Sequence, residues 1–78
     1  MKHIVKWGII GLGNIAFEFA KSFYNSNNAD LIALASLSDK KLIQFSEKFN
    51  IRKENLYNSY QKLLENEDID IVYVALPN

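Results

Sequence analysis

The chain has no cysteine, one proline, one histidine and no net charge. Without cysteine there is no disulfide framework and no thiolate metal site. A nucleic-acid binder or a membrane-surface binder needs a positive excess, so the balanced charge argues against both. Long apolar runs are missing too: no stretch approaches the roughly 18 residues of a membrane span. Lys2 and Lys6 precede the apolar run Trp7 to Ile10 in the manner of a signal peptide. Gly11, Gly13, Asn14 and Glu18 break that run, however, and no small-x-small cleavage site follows. The cytoplasm is the expected location. His3 has no metal-ligand partners within reach of the pattern. Glu65, Glu67, Asp68 and Asp70 read as a solvated loop, because a divalent-ion site would want a turn glycine and regular ligand spacing.

What is present is a hydrophobic share of 49% in 78 residues. That suffices for a core and excludes disorder. Chains of this size bury only about 60% of their unfolded surface and are marginal alone. No internal repeat or linker interrupts the chain, which alternates strand and helix patterns. Ile4 to Ile10 is a β-branched apolar run, as expected of a strand buried on both faces. Gly11 to Gly13 breaks it, and a helix is expected from Asn14 to Tyr24, with Ile15, Phe19 and Phe23 beside Ala16 and Ala20 as one apolar stripe. Trp7 is expected to pack beneath it. Asn25 to Asn28 is a turn cluster.

A second strand is expected over Leu31 to Ala35. Ser38 or Asp39 then caps a helix with Leu42, Phe45 and Phe49 inward. Leu56-Tyr57 is a short third strand, and Ser59 caps a short helix through Leu64. Ile69 to Leu76 is the last strand, ended by Pro77, which has no N–H for a ladder. This alternation implies an α/β fold, with a parallel sheet, right-handed crossovers and helices on both faces in three layers. The expected strand order is 3-2-1-4. The outer edge of the fourth strand would be bare and apolar. The chain is therefore expected to be part of a longer protein.

Gly11-Leu12-Gly13-Asn14-Ile15-Ala16 follows a buried strand and opens an amphipathic helix. That context makes a weak pattern specific for a doubly wound, Rossmann-type dinucleotide-binding turn. Gly11 allows a tight turn, Gly13 lets a pyrophosphate approach the backbone, and the helix start offers N–H groups and a positive dipole end. Ala16 replaces the third glycine. A P-loop is excluded, since no Gly-Lys-Ser or Gly-Lys-Thr follows. A different nucleotide-like ligand such as S-adenosylmethionine, or a turn that binds nothing, stays open on the residues alone.

With this turn, the chain resembles the amino-terminal domain of the Gfo/Idh/MocA oxidoreductases. Three stretches carry the resemblance: Lys6 to Ala16, Leu34-Ala35-Ser36 with Lys41 five residues after the serine, and Asp70 to Asn78 preceded by Tyr60 and Leu63-Leu64. The resemblance implies that residues 1–78 form the first part of an NAD(P)-binding domain, with Leu76-Pro77-Asn78 under the nicotinamide. Leu76 stands where threonine is common. It also implies a catalytic Glu-Lys-Pro lysine and a substrate domain elsewhere in the full-length protein, so residues 1–78 alone are expected to be inactive.

The expected reaction is hydride transfer to or from a CH–OH or carbonyl carbon of a sugar, polyol or related small molecule. A non-catalytic nucleotide-binding or sensor module is the rival. Homo-oligomerisation of the full-length protein stays open.

The end of the second strand bears on the coenzyme. An acidic residue there binds the ribose hydroxyls of NAD and repels a 2′-phosphate. This chain has Ser36, which can donate to a phosphate, and Lys41 is the candidate cation. Leu37 takes the place where NADP-using relatives often carry arginine, and can pack on the adenine face. NADP is favoured over NAD. Asp39 is the one nearby acidic group and is expected to serve the helix start. The alternative is that Ser36 and Ser38 are loop serines and Lys40-Lys41 a solvated face.

Overall fold

The computed structural model describes residues 3–76. It contains four strands, β1 (Val5–Ile10), β2 (Ala29–Ala35), β3 (Leu56–Tyr57) and β4 (Ile71–Val74), and three helices, α1 (Asn14–Lys21), α2 (Asp39–Phe49) and α3 (Tyr60–Leu64). The strands form one sheet in the order β3-β2-β1-β4, and every pair is parallel. The chain steps outward from β1 to β2 to β3, then returns through α3 to the far side of β1. The connections therefore diverge between β1 and β4, and in open parallel sheets the crevice at such a reversal is where ligands bind.

The two faces of the sheet are packed differently. One carries Ile9, Leu31 and Leu34 beneath Ala16 and Ala20 of α1 and Leu42 and Phe45 of α2. The other carries Ile10, Ala33 and Ala35 beneath Leu63 of α3, with Tyr60, Ile69 and Val72 against them. Small residues let the short α3 sit close to the sheet. A methyl group at Gly8 would come within 3.1 Å of Ile69 and 3.2 Å of Leu63.

Leu31 and Leu34 are three apart, yet they share a face. The register explains it: Trp7 pairs with Leu31 but Gly8 pairs with Ala33, so Ile32 is an extra residue in β2. This bulge resets the alternation. Both leucines then face the helices α1 and α2, and both alanines lie under Leu63.

α1 lies on the sheet through its alanines and flanks them with aromatics. Trp7 meets Phe19 and Phe23 edge-on at 5.5 and 5.9 Å between ring centroids, and Phe19 stacks on Tyr73 at 3.9 Å. On the other flank Phe17 meets Phe45 and Phe49 at 5.7 and 5.4 Å. Trp7 thus packs under a helix as expected. Ile15 does not join the stripe: it is 68% exposed. The next residue, Ala16, takes the buried position of this first turn, and Ile15 is left on its exposed side.

Several boundaries differ from the sequence expectation for local reasons. The α-helix stops at Lys21 and tightens into a 3₁₀ turn over Ser22–Asn25. There the Ser22 hydroxyl donates to the Phe19 carbonyl at 2.6 Å, competing with the helical ladder. β2 begins two residues earlier, at Ala29. β4 runs only from Ile71 to Val74; it starts later than Ile69 because the Asp70 carboxylate accepts the Lys6 N–H at 2.9 Å where a strand carbonyl would sit. Main-chain bonds from Asp70 to Lys6 (2.7 Å) and from Ala75 to Ile10 (2.8 Å) bracket the strand.

Ser38 and Ser59 cap α2 and α3, their side chains accepting from the Lys41 and Lys62 N–H groups. Glu18 and Lys21 form an exposed pair at 3.1 Å. The acidic loop is organised by Asn66, which accepts from the Asp68 N–H and donates to the Tyr57 hydroxyl. Among the described residues no group of three His, Cys, Asp or Glu could hold a metal ion, and no helix is long and apolar enough to cross a membrane.

Leu63 is the fully buried centre of the α3 face. Leu63→Ala is expected to cost about 2–5 kcal/mol, the range for deleting a buried leucine side chain. Urea unfolding of the whole protein measures this; a loss below about 1 kcal/mol would mean that α3 is not what closes this face.

Candidate functional site

At the end of β1 the chain turns on Gly11. Its φ is 91°, a left-handed value that side-chain-bearing residues rarely adopt. A Cβ there would lie 2.8 Å from the Ala75 carbonyl oxygen. Its own N–H donates to Ala35 O at 2.9 Å, while Ala75 N–H donates to Ile10 O at 2.8 Å. One glycine therefore holds together the carboxyl ends of β1, β2 and β4.

Gly13 is different. Its backbone is extended, with φ −105° and ψ −160°, which any residue can adopt, and a Cβ there would meet nothing within 4 Å. Neither strain nor packing within the described residues demands glycine here. Gly13 is the N-cap of α1, makes no side-chain cap, and no acidic residue stands in the first turn. The first N–H groups of a helix have no intrahelical partners, and they carry the positive end of its dipole. At α2 and α3 a serine oxygen answers one of these donors. At α1 open space does. Ala16, fully buried, packs against the sheet with its single methyl accommodated.

Past β2, Ser36 is 6% exposed. Its N–H donates to Tyr57 O, and its Oγ accepts the Ser38 N–H at 3.1 Å, a serine turn. Leu37 is 73% exposed. The side chain of Lys41 is exposed, and its N–H is the one capped by Ser38 at 3.3 Å.

These segments enclose a cleft of about 810 Å³ at the carboxyl ends of the strands. The structure brings together there all the described positions singled out from the sequence: Gly11, Leu12, Gly13, Asn14 and Ile15 from the turn, Ser36, Leu37 and Lys41 from the second strand and helix, and Leu76 from the end of β4. Leu12 is 4% exposed and packs in the core, so it offers the cleft mainly its backbone. Pro77 and Asn78 lie outside the described residues.

The cleft also includes Ser38, Tyr60 and Tyr73, with Val74 and Ala75, none of which the sequence had marked as binding residues. Tyr60 had a readable signal. In a parallel α/β sheet every helix start lies at the carboxyl ends of the strands, and Tyr60 directly follows the cap Ser59. Tyr73 had none, because its place depends on the stack with Phe19.

The lining contains one lysine and no aspartate or glutamate. Asp39, the acidic group nearest in sequence, lines a separate groove with Leu42, Ile43, Tyr57 and Lys62. The cleft thus suits an anion. A third groove lies toward the other ends of β1 and β2 and mixes Lys6 and Arg52 with Asp30 and Asp68.

Comparison with known proteins agrees with this geometry. Residues 5–78 match the family model described as "Oxidoreductase family, NAD-binding Rossmann fold". An oxidoreductase of Formosa agariphila is 32% identical over 99% of this chain and 24% of its own length. The trans-1,2-dihydrobenzene-1,2-diol dehydrogenase of Xenopus tropicalis is 35% identical over 90% of this chain and 21% of its own. Among solved structures, a 3-ketoreductase from Actinomadura kijaniata, in complex with TDP-benzene and NADP, superposes with a TM-score of 0.84. It is 29% identical and covers 96% of this chain and 23% of its own. The chain therefore spans less than a quarter of the length of each of these relatives. By its glycine turn, its 3-2-1-4 sheet and a family match that runs through residues 5–78, this chain belongs to the Gfo/Idh/MocA oxidoreductases and has their NAD-binding Rossmann fold.

Proposed function

We propose that the cleft binds a nicotinamide dinucleotide, with NADP preferred over NAD, and that the protein containing this chain moves a hydride at a CH–OH or carbonyl carbon of a sugar, polyol or related small molecule. The observation that carries the binding reading is Gly13: a glycine that the fold does not require, leaving open space over an uncapped helix start. A pyrophosphate fits that space, since the backbone N–H groups of Gly13, Asn14 and Ile15 can donate to its oxygens. In this reading Ser36, Leu37 and Lys41 hold the adenosine end, and Leu76, Pro77 and Asn78 underlie the nicotinamide.

The dinucleotide, when bound, supplies or accepts the hydride. This chain's residues grip and orient it. Gly11 and Leu12 shape the turn, and the apolar faces of Ile15, Tyr73 and Leu76 exclude water near the β4 end of the cleft. In this reading the group that handles the proton and the pocket that selects the substrate come from parts of the protein other than residues 1–78. The diol dehydrogenase and the 3-ketoreductase, by their names, act on hydroxyl or carbonyl carbons. The acid-free lining supports the NADP preference, because a 2′-phosphate carries close to two negative charges at neutral pH.

The two glycines separate binding from folding. Gly13→Val is expected to leave the melting temperature of the whole protein nearly unchanged and to weaken NADPH at least about a hundredfold, or about 2.8 kcal/mol. Gly11→Ala is expected to destabilise the fold by about 1–3 kcal/mol from its backbone conformation alone. Calorimetric titration and thermal unfolding of both variants make the comparison. Wild-type affinity in Gly13→Val would remove the pyrophosphate from this turn.

The coenzyme preference is tested by steady-state kinetics of the whole enzyme with both coenzymes at fixed ionic strength, since salt screens the phosphate contacts. The wild type is expected to prefer NADPH. Ser36→Asp should reverse the preference, because a carboxylate can still accept the Ser38 N–H, binds ribose hydroxyls and repels the phosphate. Lys41→Ala should weaken NADPH about tenfold, or about 1.4 kcal/mol, and leave NADH nearly unchanged. A wild type that prefers NADH, or a Lys41→Ala effect equal for both, would contradict the phosphate pocket.

A further inference from the structure

We infer that Tyr57, which does not line the cleft, is a positioning residue: through Asn66 it fixes the loop after β2 relative to the segment that leads into β4. The inference rests on the dinucleotide reading, in which that loop holds the adenosine half.

β3 has only two residues, Leu56 and Tyr57, and stands at the edge of the sheet. It pairs with Leu34 and Ala35 of β2, and no strand lies on its other side among the described residues. An edge strand this short has few bonds to hold it, and such segments open at little cost in free energy. Yet the cleft depends on it, because the Tyr57 carbonyl accepts the Ser36 N–H at 3.1 Å. Ser36 is the buried serine of the cleft lining, and its Oγ in turn accepts the Ser38 N–H. Where Tyr57 stands therefore sets where this loop stands.

The tyrosine side chain supplies the hold that the short strand lacks. Its ring packs against Ile10, Ala33, Ala35 and Leu63. Its hydroxyl accepts from Asn66 Nδ2 at 3.0 Å. Asn66 is itself fixed by three further bonds. Its N–H donates to Leu63 O at 3.0 Å, its carbonyl accepts the Ile69 N–H at 3.3 Å, and its Oδ1 accepts the Asp68 N–H at 2.8 Å. These bonds close the turn from α3 to β4. One residue thus ties the loop after β2 by its carbonyl and the approach to β4 by its hydroxyl. Both segments go on to line the cleft.

Holding a binding loop in place before the ligand arrives removes an ordering cost from binding. Tyr57 does this without touching the coenzyme. A bond that only stabilised the fold would leave affinity unchanged.

Tyr57→Phe removes the hydroxyl and keeps the ring and the carbonyl. In the whole protein it should weaken NADPH and 5′-AMP alike, each about fivefold, the size of one net hydrogen bond. Equal factors are expected because both ligands contain adenosine. Asn66→Ala should weaken both ligands in the same way. The double variant should be no worse than either single one, since all three lack the same contact. Melting temperatures of the variants report the loss of stability separately.

Unchanged affinities with only a lowered melting temperature would reduce Tyr57 to a structural residue and overturn the inference. So would a loss confined to NADPH, or additive losses in the double variant. Each of these results leaves the dinucleotide reading in place. A wild type that binds neither ligand would remove that reading, and this inference with it.

Discussion

At Gly11 the chain leaves β1 with φ 91°, and the Ala75 carbonyl oxygen passes 2.8 Å from where a side chain would begin. Two conditions meet at this residue: a left-handed turn and a neighbour too close for a methyl group. Its N–H is tied to the end of β2, and the residue before it to the end of β4. Because three strand ends converge here, the start of α1, the loop after β2 and the end of β4 surround one space. The open position at Gly13, the serine turn at Ser36 and the exposed Leu76 take their meaning from that convergence.

The sheet can hold this arrangement because its faces are unequal. The α1 and α2 face is thick and aromatic, whereas the α3 face is thin, with Gly8, Ala33 and Ala35 letting Leu63 approach closely. The extra residue Ile32 reconciles the two, since without it Leu31 and Leu34 could not both reach the thick side. Tyr73 joins the thick face to the ligand cleft: its ring stacks on Phe19 and also lines the cleft. β4 pairs with β1 on one edge only; among the described residues no strand covers its other edge, and its Ile71 and Val74 are 43% and 60% exposed.

Much of this was legible beforehand, and the reasons are physical. The parallel sheet follows from alternating elements and crossover handedness, its 3-2-1-4 order from the Rossmann-type pattern, and the glycine turn from a buried strand leading into an amphipathic helix. Ser38 and Ser59 were readable as caps because capping is local. What was hidden depended on neighbours distant in sequence. An apolar run such as Ala29 to Ala35 looks the same with or without a bulge, so Ile32 gave no sign of its role. Ile15 has the spacing of a core residue, yet it is left exposed while the adjacent Ala16 takes the buried position. Asp39 is adjacent in sequence to Ser38 but belongs to a different groove. One helical step decides that, and no spacing rule reports it.

In the proposed function the open backbone at Gly13, over the start of α1, grips the pyrophosphate. Amide chemical-shift mapping of the whole protein during titration with NADPH tests it most directly, because it reads each backbone N–H in place. The largest shifts are expected at Gly13, Asn14 and Ile15, with a second group at Ser36 to Lys41. Shifts centred instead on Lys6, Asp30 and Arg52, at the other end of the sheet, would contradict it.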